Sequence, residues 1–405
     1  MNENRPNVLL IFPCSWRRDS LESMPRLGKL VRQDGWEEWA QHYGVSHCSD
    51  PNFLSLLTGA HPDETGVQAQ MGRRYVKEFP TLQKRLGKAG YFTWAYEPIK
   101  VPMFYMSGFD ELIWHKTQEV SPLMAPAPKK AIQAAGSKPW FGFMRIMDTH
   151  YPYNGEPLVK ETVTKDYSQA CYHMDKFITH LSKWVLKNYP NTIIVIGADH
   201  GEMLGEHGLW DHLFTLKNPL VHVPLMVHVP DGGLSRVRSD LTQHTDVTGL
   251  ILERTGLIEP REPAQRDGLW MSAWGMGFRD PWKHRSLVAQ HEGIALQYTV
   301  NWHVEHGASF ELHAKDDHDV NLFGNNDVSR GIAEALIEKY PTFPRPNFSL
   351  PPGRIQGDVN LLAYDAVALG DGVMLGEDGM GDEQDGAGAT AISLRPDWRE
   401  PAILS

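Results

Sequence analysis

Cysteine is scarce in this chain: among 405 residues there are three, Cys14, Cys48 and Cys171. Three thiols cannot form a disulfide framework, so the fold must rest on buried apolar surface. Long hydrophobic runs are also lacking. The first, NVLLIFP (Asn7 to Pro13), is too short for a signal-peptide core or a membrane span, and no tidy small-residue cleavage site accompanies it. The expectation is a cytoplasmic protein without a membrane partner. Positive charge is in deficit, with 39 Lys and Arg against 50 Asp and Glu and a net charge of -11. That balance argues against nucleic acid or an anionic membrane as the main partner, because both reward clustered Lys and Arg. An anionic small substrate needs only local positive groups and is not disfavoured.

What is present is a series of short, branched, continuously apolar runs. NVLLIFP is followed by WFGFMRIM (Trp140 to Met147), NTIIVIGA (Asn191 to Ala198) and VPLMVHV (Val223 to Val229). Such runs suit strands buried on both faces. Amphipathic patterns lie between them, notably FPTLQKRLGKAGY and YSQACYHMDKFITHLSKWVLKNY. In the second, Cys171, Met174, Phe177, Ile178, Leu181 and Val185 recur at helical spacing. Buried strands alternating with such helices predict an α/β fold with a mostly parallel central sheet flanked by helices. Ligands in such folds gather at the carboxyl ends of the strands, which places Cys14, Ser15, His150, Asp199 and His200 at one rim. After about residue 270 the texture changes to short antiparallel-type strands (RSLVAQHEG, ALQYTVNWHVEH, SFELHAK) and a helix at VSRGIAEALIEKY. The expected division is a catalytic domain over 1–270, a small α+β subdomain over 271–345, and a Gly- and Asp-rich tail over 346–405.

Two stretches carry chemistry. In IGADHGEMLGEHGLWDH (Ile196 to His212) an apolar strand runs directly into an acid, an imidazole and a glycine. Asp199 and His200 side by side are donors suited to a divalent metal, a reading favoured over a salt-bridged loop. In SHCSDPNFLSLLTG (Ser46 to Gly59) a helix start is crowded with His47, Cys48, Ser49 and Asp50. Asp50 is placed to cap the helix and Pro51 to sit in its first turn, with Ser49 just ahead of the positive helix end. An oxyanion is favoured there. From the residues alone, a second capping residue ranks ahead of a nucleophile as the reading of Ser49.

ADHGEMLGEHGLW resembles the metal-binding motif of the sulfatases, in the alkaline phosphatase superfamily. RPNVLLI, SLLTGAHPDETGV, LGKAGYFT, MDTHYPY, VPLMVHV, HTDVTGLILERTGL and ELHAKDDHDVNLFGNND resemble further family segments in the family's order, covering roughly Pro6 to Tyr340. The resemblance implies a hydrolase of sulfate, phosphate or related esters of small molecules. It places the nucleophile at Ser49, which family members oxidise to formylglycine, and the motif's proline at Pro51. The motif's arginine position holds Phe53. It implies a calcium-like cation, yet where the family has two aspartates this chain has Cys14 and Ser15, and a cysteine favours zinc or a similar metal. It assigns the metal to Asp199 and His200 with Cys14 and Ser15, and leaves Cys48 or His47 as further ligands. His150 matches the family's sulfate-contacting histidine. Lys100 is the lysine nearest the first active-site lysine position, and His212 falls near the second, where it suits a proton donor. Three readings stand at this level: an ester hydrolase using Ser49, altered chemistry at a Cys14-containing transition-metal site, and a non-catalytic homologue.

Overall fold

A computed structural model describes residues 5–70, 79–98, 106–114, 126–153, 163–212, 215–260, 266, 268–273, 282–291, 294–303, 307–314 and 338. The strands are β1 (Asn7–Pro13), β2 (Trp36–Tyr43), β3 (Phe92–Glu97), β4 (Glu111–Trp114), β5 (Trp140–Ile146), β6 (Thr192–Gly197), β7 (Met203–Leu204), β8 (Trp210–Asp211), β9 (Leu225–His228), β10 (Arg236–Gln243), β11 (Gly268–Ala273), β12 (Trp282–His291), β13 (Ile294–His303) and β14 (Gly307–Ala314). The helices are α1 (Pro25–Leu30), α2 (Ser49–Thr58), α3 (Pro62–Thr65), α4 (Leu82–Lys88), α5 (Pro126–Ala134), α6 (Val163–Asn188), α7 (Asn218–Val221) and α8 (His244–Arg254).

Eight strands form the main sheet in the order β10-β2-β9-β6-β1-β5-β3-β4. The pairings among β6, β1, β5, β3 and β4 are parallel, and only β9 runs antiparallel to its two neighbours. The expected mostly parallel sheet is therefore present. Side-chain alternation along β1 divides its apolar run between two layers. Leu9 and Ile11 pack with residues of α1, α5 and α6, whereas Val8, Leu10 and Phe12 pack with residues of α2, α4 and α8. The six residues expected to form the buried face of α6 are all buried. No helix among the described residues is long and apolar enough to cross a membrane.

The strands β11 to β14 make a separate antiparallel sheet. Several contacts tie it to the rim of the main sheet, among them Gln243 Nε2, which donates to Trp270 O at 2.9 Å. Ser272 N donates to Val45 O at 3.0 Å, and Gln297 Nε2 donates to Leu216 O at 2.6 Å. The segment expected as a helix at Val328 to Tyr340 and the tail over 346–405 lie outside the described residues, apart from the helical residue Glu338.

Candidate active site

Because β1, β5 and β6 are parallel neighbours, their carboxyl ends deliver Cys14, the Asp148–His150 turn and Asp199–His200 to one place. The fourth contributor, Ser49, opens α2. Cys48 is the residue before the helix, with extended backbone and no side-chain cap. Asp50 is therefore inside the first turn and does not cap the helix, a correction to the sequence reading. Asn52 organises the entry instead. Its Oδ1 accepts from Val45 N and Ser46 N at 2.7 and 3.2 Å, and its Nδ2 donates to Ser46 O and Cys48 O at 2.7 and 2.9 Å. The polar atoms of a tight turn are satisfied from within, which fixes where Ser49 emerges.

Ser49 Oγ donates to Asp199 Oδ2 at 2.7 Å, and lies 3.3 Å from His200 Nε2 and 3.4 Å from Cys14 Sγ. Cys14 Sγ lies 3.8 Å from His200 Nε2. The Asp199 carboxylate is oriented by two backbone donors on its other oxygen, Ser15 N at 3.1 Å and His200 N at 2.8 Å. Burial would raise the Asp199 pKa, but the Arg145 guanidinium and the hydrogen bonds from Ser49 Oγ and His200 N together hold it below the ordinary carboxylate value. His200 Nδ1 lies 2.8 Å from the Gly201 carbonyl. A carbonyl can only accept, so Nδ1 carries the proton and Nε2 presents a lone pair. Burial pushes the His200 pKa down to about 3, which keeps the ring neutral.

These residues fit a metal ion. His200 Nε2 and Asp199 Oδ2 are both acceptors, yet they face each other at 3.4 Å. An arrangement of lone pairs against lone pairs is stabilised by a cation. Cys14, Asp199 and His200 offer ligand atoms that all lie within 4.8 Å of one another. Tetrahedral zinc with ordinary Zn–N and Zn–S bonds has ligand atoms about 3.3–3.8 Å apart, and His200 Nε2 lies 3.4 Å from Asp199 Oδ2 and 3.8 Å from Cys14 Sγ. Burial pushes the Cys14 thiol up to about 12, with the Asp199 charge adding to the effect and Arg145 opposing it. A metal must therefore displace that proton to bind sulfur. Ser15 enters the site through its backbone amide, in a left-handed conformation (φ 61) that turns the chain directly after β1. Cys48 and His47 are not members of the ligand-spaced group.

A second cluster adjoins the first. His212 Nδ1 sits between the Asp211 carboxylate and Glu202 Oε1, the latter at 3.4 Å. Burial disfavours the imidazolium, but the two carboxylates outweigh it and raise the His212 pKa well above its ordinary value. Burial, reinforced by the Asp211 charge, brings Glu202 up to about 7. The His212 ring lies 4.5 Å from that of His200 and 5.2 Å from that of His150, between centroids. His150 Nδ1 lies 2.6 Å from the Tyr151 carbonyl, so its Nε2 is the free acceptor in the neutral ring. Burial and the neighbouring His212 push its pKa down to about 4. Lys100 lies outside the described residues.

Three participants went unread in the sequence. Arg145, 3 % exposed, places Nη2 3.2 Å from Ser49 Oγ and 3.5 Å from Cys14 Sγ. Its Nη1 lies 3.4 Å from Glu97 Oε1, and its Cζ lies 5.4 Å from the Phe53 ring centroid. The signal was available, because FTWAYE and WFGFMRI each place one charged residue at the carboxyl-terminal end of a buried strand. Glu202 is the second, inside the motif already singled out. The third is a buried pair behind the site. His42 Nε2 lies 3.0 Å from His244 Nδ1, and His244 Nε2 donates to Asp199 O at 2.8 Å.

Fold and site together place a hydroxyl at a helix start, backed by an acid and an imidazole from the end of a central strand. Compared with protein-family models, the chain matches the Sulfatase family over residues 6–257. The chain belongs to the sulfatase family. Among solved structures it resembles the phosphonate monoester hydrolase SpPMH from Silicibacter pomeroyi, at 16% identity and TM-score 0.59 over 84% of this chain and 96% of that one. A 2-O GAG sulfatase matches at 16% identity and TM-score 0.64 over 84% and 92%. The C-terminal periplasmic domain of EcEptC from Escherichia coli, solved in complex with Zn, matches at 15% identity and TM-score 0.51 over 62% and 83%. A comparison with curated proteins finds no match.

Proposed function

We propose that the protein cleaves an ester of a tetrahedral oxyanion on a small molecule, with Ser49 as nucleophile. The observation that carries this reading is the position of Ser49 Oγ, which donates to Asp199 at 2.7 Å beside His200 and Cys14. The metal would be held by Cys14, Asp199 and His200, and the thiol and imidazole favour zinc or a similar ion over calcium. When bound, such an ion polarises the anion and stabilises the alkoxide of the nucleophile.

Asp199 Oδ2 orients the Ser49 hydroxyl for attack. His212 is held as an imidazolium by Asp211 and Glu202, so it brings a proton to the leaving oxygen at neutral pH. Neutral His150 offers only an acceptor at Nε2, so it takes up a proton from the water that cleaves the Ser49 ester rather than donating to the anion. An unmodified alcohol at Ser49 favours phosphoryl over sulfuryl transfer. Formylglycine expels sulfate by collapse of its hemiacetal, whereas a serine sulfate lacks that route.

Hydrolysis of 4-nitrophenyl phosphate and 4-nitrophenyl sulfate by wild type and Ser49→Ala tests the proposal. Release from at least one ester, abolished in the variant, supports it; a variant with full activity overturns it. Peptide mass spectrometry across Ser49 distinguishes serine from formylglycine.

A further inference from the structure

We infer that Arg145 is the residue that grips the non-bridging oxygens of the substrate anion, a guanidinium delivered to the nucleophile from β5. The inference rests on Ser49 being the nucleophile. Along β5, Phe141 and Phe143 pack in the layer that contains α2, whereas Met144 and Ile146 pack in the opposite one. Strand alternation therefore turns position 145 toward α2. Glu97 ends β3 on the same side, since its neighbour in parity, Ala95, shares that layer. Two adjacent buried strands thus each present one charge to the base of the nucleophile helix.

The guanidinium reaches the nucleophile as well as the Glu97 carboxylate. Here the Glu97 contact is 3.4 Å and the Ser49 Oγ contact is 3.2 Å. Among the described residues, Arg145 is the cationic side chain in contact with Ser49. An oxyanion bonded to Oγ carries its other oxygens one tetrahedral edge away, within reach of a guanidinium already touching that atom. Arginine suits the task because it stays charged when buried and its planar fork matches two oxygens of such an anion. Phe53 then has a purpose where the family motif has arginine. Its ring lies beside the guanidinium and fixes its plane, as cations over aromatic faces do. The positive charge has stayed at the nucleophile while its backbone origin has moved from helix to strand.

The test uses inorganic phosphate as the probe, by isothermal titration calorimetry, alongside 4-nitrophenyl phosphate hydrolysis, bound-metal analysis and thermal melting. The main variant is Arg145→Met with Glu97→Gln, which leaves no orphaned buried carboxylate. The expected result is a rise of about 10- to 100-fold in both the phosphate Kd and KM, with metal content and melting temperature near wild type. Should that pair fail to fold, Arg145→Lys keeps the charge but loses the fork and the stacking, and is expected to raise KM about 10-fold. Either variant binding phosphate as wild type does overturns the role of Arg145. The Ser49 reading survives that outcome if Ser49→Ala still abolishes cleavage. A wild-type chain that neither binds phosphate nor cleaves the ester overturns both.

Discussion

Gly201 follows the two metal-binding candidates Asp199 and His200, and its replacement by alanine separates packing from backbone conformation. Its φ is not in the left-handed region, so alanine meets no conformational penalty there. The obstacle is space. A Cβ at position 201 would overlap the Pro219 carbonyl oxygen, and would stand 3.0 Å from Pro219 C and 3.3 Å from Leu220 Cα. These are backbone atoms of the α7 turn, held in place because Gly201 N donates to Leu220 O at 2.7 Å. Restoring normal contact distances takes roughly 1 Å of backbone movement. His200 Nδ1 is anchored on the Gly201 carbonyl, so His200 Nε2 moves with it, away from Ser49 and Cys14. A displacement of that size at a catalytic group costs about 10²-fold in rate, and the strain costs about 1–3 kcal/mol of stability. Gly208, at the tip of the same loop, is the control. Its φ is +71 but the space around it is open, so alanine there costs about 1–2 kcal/mol of local strain without reaching the site. The assay is kcat/KM on 4-nitrophenyl phosphate with bound metal measured on the same samples. The reasoning is refuted if Gly201→Ala keeps metal and rate within twofold of wild type, or if Gly208→Ala loses as much.

Cys14→Ala is expected to strip zinc from the purified protein while leaving the melting curve cooperative, as measured by elemental analysis. Stoichiometric zinc in the variant would remove Cys14 from the ligand set. Stability is expected to fall in acid, with a share from His42. Burial and the neighbouring His244 hold the folded His42 pKa well below 6.5, so below that pH the unfolded chain binds the extra proton and stability rises with pH. The slope from this one group is about 1.4 kcal/mol per pH unit between its folded pKa and the unfolded value. Urea unfolding of His42→Gln at pH 7, 6 and 5 is expected to show a slope shallower by that amount. An unchanged slope would mean that His42 is not held neutral.

The parallel centre of the sheet was readable because β1, β5 and β6 are buried on both faces, and a run such as TIIVIG has few other destinations. The edge strand β10 was not: RVRSDLTQ is polar where it faces solvent and carries no apolar run. β2, WEEWAQHY, was missed because its tryptophans and tyrosine are spaced by polar residues and form no continuous apolar run, although it lies between β10 and β9. Within the site, Cys14, Asp199 and His200 were named because each lies where an apolar run meets a turn, whereas Ser49 was named through the family resemblance. Arg145 was passed over because it is embedded within such a run. Its meaning depends on which neighbour lies across the sheet and which helix lies below, and neither is local in sequence. The Asp50 cap failed for a similar reason, since Asn52 satisfies the turn that Asp50 was expected to serve.

Two of the contacts made by the second sheet fall at Val45 and Leu216, four residues before the nucleophile and four residues after His212. The strands that steady the site on both sides are thus among the last described parts of the chain to leave the ribosome. Synthesis proceeds from the amino terminus and domains fold as they emerge. The main sheet is complete once β10 has emerged, and the contacts of β11 and β13 to the loops bearing Ser49 and His212 are added after it. A nascent chain thus carries its nucleophile turn, held by Asn52, before the flanking braces arrive, and that interval is written into the order of its strands.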